Sequence, residues 1–109
     1  MPLTESTRDG HALLLISGGF TIFQAAESKP QLIHTIGQAD AMLELDLQGV
    51  DEFDTAGLQL LLSLRREAAQ QDKLLIFSGF SAAVMSVIGL LHLHETFGLP
   101  LPSASRSHA

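Results

Sequence analysis

Apolar residues return along this chain in two rhythms, one of period two and one near 3.6, punctuated by glycine, proline and acidic clusters. Leu3 to Arg8 reads as a short edge strand, and Asp9-Gly10 as a hairpin turn in which glycine accepts positive φ. His11 to Ser17 is predicted to be a strand around Ala12-Leu13-Leu14-Leu15-Ile16, broken by Gly18-Gly19. Phe20-Thr21-Ile22 leads into a helix from about Gln24 to Ile36, with Ala25, Ala26, Leu32, Ile33 and Ile36 as its buried stripe. Pro30 is expected in the first turn or two, where a missing N–H matters least, and Gly37 is the expected terminator.

Ala41 to Leu47 alternates, with Leu43, Leu45 and Leu47 against Met42, Glu44 and Asp46, which predicts a strand with one covered face. Gln48 to Asp54 is expected to be an acidic loop. From Thr55 the helical rhythm returns, with Leu58, Leu61, Leu62, Ala68 and Ala69 on one face and Arg65, Arg66 and Glu67 towards the far end. Lys73 to Ser78 is a further apolar strand, ended by Gly79. Ser81 opens a last helix in which Val84, Val87, Ile88 and Leu91 recur at i, i+3, i+4 and i+7, with Met85 also assigned to the core. The order is β-β-α-β-α-β-α, with a further short strand considered near Phe97 to Leu101. Strands alternating with helices imply parallel βαβ units. The fold class is therefore α/β, a mixed and mostly parallel sheet of four or five strands with helices mainly on one face. Residues 1–99 are assigned to a single domain, and the tail 100–109 is expected to be disordered.

Composition narrows the chemistry. The chain has no cysteine, which removes disulfides, zinc–thiolate sites and thiol catalysis. Its net charge of −6, with six scattered basic residues, disfavours nucleic acid, since phosphate binding rests on Lys and Arg. Without Trp or Tyr a base-stacking platform is also disfavoured. No apolar run approaches the roughly 18 residues of a membrane helix. Met1 to Gly10 is polar, unlike a signal peptide, so a cytoplasmic location without membrane insertion is expected.

One stretch carries more information than the rest. The run Leu45-Asp46-Leu47-x-x-Val50-x-x-Phe53-Asp54-Thr55-Ala56-Gly57-Leu58 resembles the signature of the STAS family, which includes bacterial anti-sigma factor antagonists and the cytosolic domains of sulfate transporters. Leu15-Ile16-Ser17-Gly18-Gly19-Phe20-Thr21 resembles that family's strand-ending segment, and the element order agrees from about residue 5 to 99. The resemblance implies the STAS fold and a protein-binding role. It implies phosphorylation of Thr55 by a partner that is a histidine-kinase-like ATPase acting as an anti-sigma factor. The implied contact surface is Asp51, Phe53, Asp54, Thr55, Ala56, Gly57 and Leu58. The chain departs from the family near Gly19, Phe20 and Thr21, where many antagonists carry an acid. Thr at position 55 also occurs in STAS branches that serve as constitutive subunits, in lipid-transport ABC complexes or beside chemotaxis kinases.

Thr55 can also be read without the resemblance. Asp-Thr-Ala-Gly at a helix start is ordinary N-capping chemistry, worth about 0.5–2 kcal/mol, and capping by Asp54 is compatible with switching at Thr55. His92-x-His94 is read as exposed helix-end histidines and not a metal pair, and Gly18-Gly19 as a structural turn that lacks a phosphate-loop pattern. Asp46 is read as a loop tether and not as the partner of Asp54 in an acid pair. No catalytic constellation is legible, so no enzyme, cofactor or metal is expected. A sheet with one open face and an edge strand would permit dimers.

Overall fold

The computed structural model describes residues 3–97. The expected tail 100–109, the domain boundary at 99 and most of the strand considered near Phe97 lie outside these residues; Phe97 itself sits in a turn. Strand β1 (Leu3–Arg8) turns at Asp9 and Gly10, both at positive φ, into β2 (His11–Phe20). Helix α1 (Ile22–Gln38), strand β3 (Met42–Phe53), helix α2 (Thr55–Gln70), strand β4 (Leu74–Ser78) and helix α3 (Ala82–Leu90) follow. The sheet order is β1-β2-β3-β4, with β1 antiparallel to β2 and the remaining pairs parallel. This is the mixed α/β sheet expected from the sequence.

Period two decides which strand residues enter the core. Leu14 and Ile16 of β2, Leu43, Leu45 and Leu47 of β3, and Leu75 of β4 are buried in one cluster with side chains of all three helices. α1 contributes Ala25, Leu32 and Ile36, α2 contributes Leu58, Leu60, Leu61 and Leu64, and α3 contributes Val84 and Ile88. Each fully buried aliphatic side chain stabilises the fold by about 1.5–3 kcal/mol relative to exposure, so this cluster outweighs any single polar contact. α1 and α2 each follow a strand and return to a parallel neighbour. They therefore run side by side in the same direction, with α1 against β2 and α2 against β4.

The structure corrects several local expectations. Gly18-Gly19 does not end β2. The strand continues to Phe20 across register shifts, with Gly18 at φ 81, so glycine here permits a bulge where a break was expected. The acidic segment after Leu47 is not a loop but the second half of β3, paired with the extended β2 as far as Phe20 opposite Phe53. α1 starts earlier than expected, with Gln24 Oε1 accepting from the Thr21 N–H at 3.2 Å. Pro30 consequently lies in the helix interior and not in its first turns. Gly37 does not end α1. Lys73 Nζ instead donates to the carbonyls of Ile36 at 2.8 Å and Gly37 at 2.9 Å, a cation closing a helix C-terminus. Ala26, Ala69 and Leu91 are exposed, and Ile33, Leu62, Val87 and Met85 are only partly buried.

The other face of the sheet holds a finding that alternation did not foretell. Glu44 and Asp46, expected on an uncovered face, are buried at 4% and 6% exposure. Arg8 reaches across from β1 to both, bonding Glu44 and lying 3.2 Å from Asp46. His11 Nε2 is 2.7 Å from Glu44, and the Ser78 hydroxyl also donates to Glu44. Asp46 accepts the Gln48 N–H at 2.9 Å, but Gln48 lies within β3, so the loop it was expected to tether is strand. Burial alone would push the Glu44 carboxyl upward, but Ser78, His11 and Arg8 together outweigh it and hold it below the usual carboxylate range. Hydrogen bonding to Asp46, ahead of the charge of Glu44, raises Arg8 from its ordinary value.

A group depressed in the folded state contributes stability above its unfolded pKa and loses it as pH falls through the folded one. We expect Glu44→Gln to lower stability by about 1–3 kcal/mol at neutral pH. Urea denaturation carried down in pH should show the wild type converging on the variant, and a constant gap would contradict this account.

Candidate functional site at the start of the second helix

The sequence Phe53-Asp54-Thr55-Ala56-Gly57 crosses from strand to helix within one residue. Asp54 is extended (φ −138°, ψ −175°), which is the backbone state an N-cap requires, and its side chain caps α2. Asp54 Oδ1 accepts from the Gly57 N–H at 3.0 Å. Its second oxygen accepts from the Ile22 N–H at 3.3 Å, the first residue of α1. A single carboxylate thus satisfies a free donor at the head of each helix, where negative charge is favoured by both dipoles.

The floor beneath is tight. A Cβ on Gly57 would stand 2.2 Å from the Phe20 carbonyl oxygen and 2.9 Å from Phe53 Cε1. Only glycine lets the first turn of α2 sit this close to the end of β2. Phe20 is fully buried, and Phe53 stacks on it at 6.1 Å with the ring planes 6° apart. The extended second half of β3, absent from the sequence reading, carries Phe53 and Asp54 to this point.

Thr55 therefore occupies the first position of α2, exposed, while its neighbour takes the cap. Its hydroxyl makes no hydrogen bond among the described residues and faces solvent. Of the other expected contact residues, Asp51 is exposed, and Phe53, Asp54 and Ala56 are partly exposed. Gly57 and Leu58 are buried and support the surface from below. Glu52 adds a third exposed or half-exposed carboxylate beside Asp51 and Asp54. The sequence reading missed Ile22 and Phe23, which begin α1 next to Asp54 and are 58% and 79% exposed. Phe23 carried a signal, since it is a large apolar residue off the stripe of Ala25, Leu32 and Ile36; Ile22 continues that stripe and is exposed only because it stands at the helix head. Asp46 and Asp54 belong to separate hydrogen-bond sets. His92 is exposed as expected, but His94, expected to be exposed too, is buried.

These contacts separate structure from presentation. Asp54→Ala should cost about 1–2 kcal/mol through loss of the cap. Gly57→Ala, which must displace backbone, should cost about 3 kcal/mol or more. Thr55→Ala should fall within about 0.5 kcal/mol of the wild type, as an exposed position does. Chemical denaturation of the three variants checks the order, and a Gly57→Ala protein as stable as the wild type would contradict the close approach.

Comparison with known proteins agrees with this geometry. A family model described as Mlab, STAS domain, matches residues 3–101. Among solved structures, an anti-sigma factor antagonist from Mycobacterium paratuberculosis superposes with a TM-score of 0.73 at 18% identity, over 95% of this chain and 88% of that one. The Bacillus cell fate determinant SpoIIAA in its phosphorylated form gives 0.64 at 13% identity, over 98% of both chains. A sulfate transporter family protein from Wolinella succinogenes gives 0.63 at 20% identity, over 79% of this chain and 70% of that one. At these identities the superpositions speak to the fold. The family match, covering nearly the whole chain, says more: this protein belongs to the STAS domain family.

Proposed function

We propose that the chain is a regulatory protein-binding module that docks through the head of α2 and is released when Thr55 is phosphorylated. The observation that carries this reading is the division of labour between Asp54 and Thr55. The carboxylate caps the helix, which leaves the adjacent hydroxyl exposed and, among the described residues, unpaired at the helix head. The partner in this reading is a histidine-kinase-like ATPase of the anti-sigma type. It supplies ATP and magnesium, the γ-phosphoryl passes to Thr55 Oγ1, the hydroxyl proton is lost, and ADP leaves. The module itself turns nothing over and holds no cofactor. A cytoplasmic setting is proposed with it. Likeness to SpoIIAA, a protein solved in a phosphorylated form, supports the reading.

The sign of the switch follows from local charge. A phosphoryl group adds about −1.5 to −2 charge at pH 7. At an open helix head it would be welcome, but Asp54 already holds the Gly57 N–H, and Asp51 and Glu52 lie close in the chain. The added charge therefore alters what a partner meets more than it alters the fold. A second reading, constitutive docking within a larger assembly such as a transporter or chemotaxis array, is favoured by the exposed Ile22 and Phe23.

Affinity purification from native lysate with wild-type, Thr55→Ala and Thr55→Glu baits distinguishes them. The switch requires an ATPase-fold kinase recovered with wild type and Ala, and binding to Glu weaker by about tenfold or more. Equal recovery of a transporter or receptor assembly by all three baits would support the constitutive reading and sink the switch.

A further inference from the structure

The chain is acidic, yet its basic residues are not equally occupied. Five of the six lie among the described residues. Arg8 is held by Glu44 and Asp46. Arg65 donates to the Thr96 carbonyl at 2.8 Å and lies over the Phe97 ring. Lys73 closes the end of α1. Lys29 and Arg66 alone make no hydrogen bond or ion pair among the described residues, and both line the same groove between α1 and α2.

That groove has a volume of about 390 Å³ and no acidic residue in its wall. On the α1 side Ile22, Ala25, Ala26 and Lys29 follow at helical spacing, and on the α2 side Ala56, Gln59, Leu60, Ser63 and Arg66 do the same. Because Asp54 ties the two helix heads together and the helices run in parallel, the groove has a direction. Its apolar end, with Ile22, adjoins Thr55, and its cationic end lies about 10 Å along α1 and about 15 Å along α2.

We propose that this groove seats an amphipathic, acidic segment of the partner protein, with its apolar side against Ile22 and Leu60 and a carboxylate at Lys29 and Arg66. The span fits two to three helical turns, so the segment carries an apolar pair and an Asp or Glu some seven to ten residues away. Exposed ion pairs are individually weak, so the apolar stripe holds the segment while the two cations set its direction and register. Two cations on a molecule of net charge −6 make a poor site for a polyanion, which needs many neutralised phosphates. The proposal rests on the docking reading above and extends it: the groove opens beside Thr55, so a charge there would act on the segment's apolar end.

The test is a display selection of random peptides of about 16 residues, long enough for three turns, on the full chain. Winners are then titrated against wild type, Lys29→Glu/Arg66→Glu and Thr55→Glu. The expected winners pair apolar residues with an acid at the stated spacing, and lose about tenfold or more on the double charge reversal. Replacing the peptide acid by Lys should restore binding to that variant. Winners without acids, or binding indifferent to the reversal, would overturn the proposal, as would no enrichment at all. The arms also keep the two readings apart. Loss with Thr55→Glu but not with the reversal would remove the groove and keep the switch. Loss with the reversal alone would keep the groove and remove control by Thr55.

Discussion

Two helices begin at one carboxylate, and much of the molecule is arranged around that contact. Asp54 accepts from Gly57 on its own helix and from Ile22 on the other, so the heads of α1 and α2 are placed relative to each other by a side chain and not by packing alone. Three further features make it possible. β3 must run on to Phe53 to deliver the aspartate, β2 must run on to Phe20 to receive Phe53, and Gly57 must lack a side chain. The energy of the cap is small beside that of the leucine core. Its consequence lies in position: with Asp54 committed to the backbone, Thr55 is left exposed at the first position of α2.

The sheet divides the work between its faces. One face is aliphatic and joins the helices in a single cluster, which provides the driving force for folding. The other carries Arg8, His11, Glu44, Asp46 and Ser78 in a connected set that ties the hairpin strand β1 to β3 and β4. Such a set contributes less to net stability than its bond count suggests, because each ion gives up hydration. It is directional, however, and links Arg8 of β1 to Glu44 and Asp46 of β3 across the intervening β2.

The surface around Thr55 belongs to no single element. Thr55 and Ala56 come from α2, Asp51 and Phe53 from β3, and Ile22 and Phe23 from α1. The apolar residues at the head of α1 and the acids at the end of β3 give this edge both a greasy and a charged component. A partner reading both would be sensitive to added charge at one point between them. That geometry suits the proposed binding role, with modification as its control: Asp54 is spent on two backbone donors, and Asp51 and Glu52 face solvent.

Local pattern in the sequence determined most of the elements. Period-two leucines placed β3, the Asp9-Gly10 turn placed the first hairpin, Ser81 placed the start of α3, and Asp54-Thr55 placed the start of α2. These are short-range matters of spacing and capping, complete within a few residues. What failed depended on a neighbour distant in the chain. Gly18-Gly19 and the acidic run after Leu47 look like breaks in isolation, and become strand because each supplies the other's hydrogen-bond partner. Pro30 and Gly37 look like helix boundaries, but α1 packs along its length and is closed by Lys73 from another loop. Glu44 and Asp46 look solvent-facing until Arg8 is folded over them. The sequence could place Thr55 at the head of α2, since capping is local; only the tertiary structure could set Ile22 and Phe23 near it and bring Lys29 and Arg66 to one groove, because surfaces are made by elements that meet in space and not in the chain.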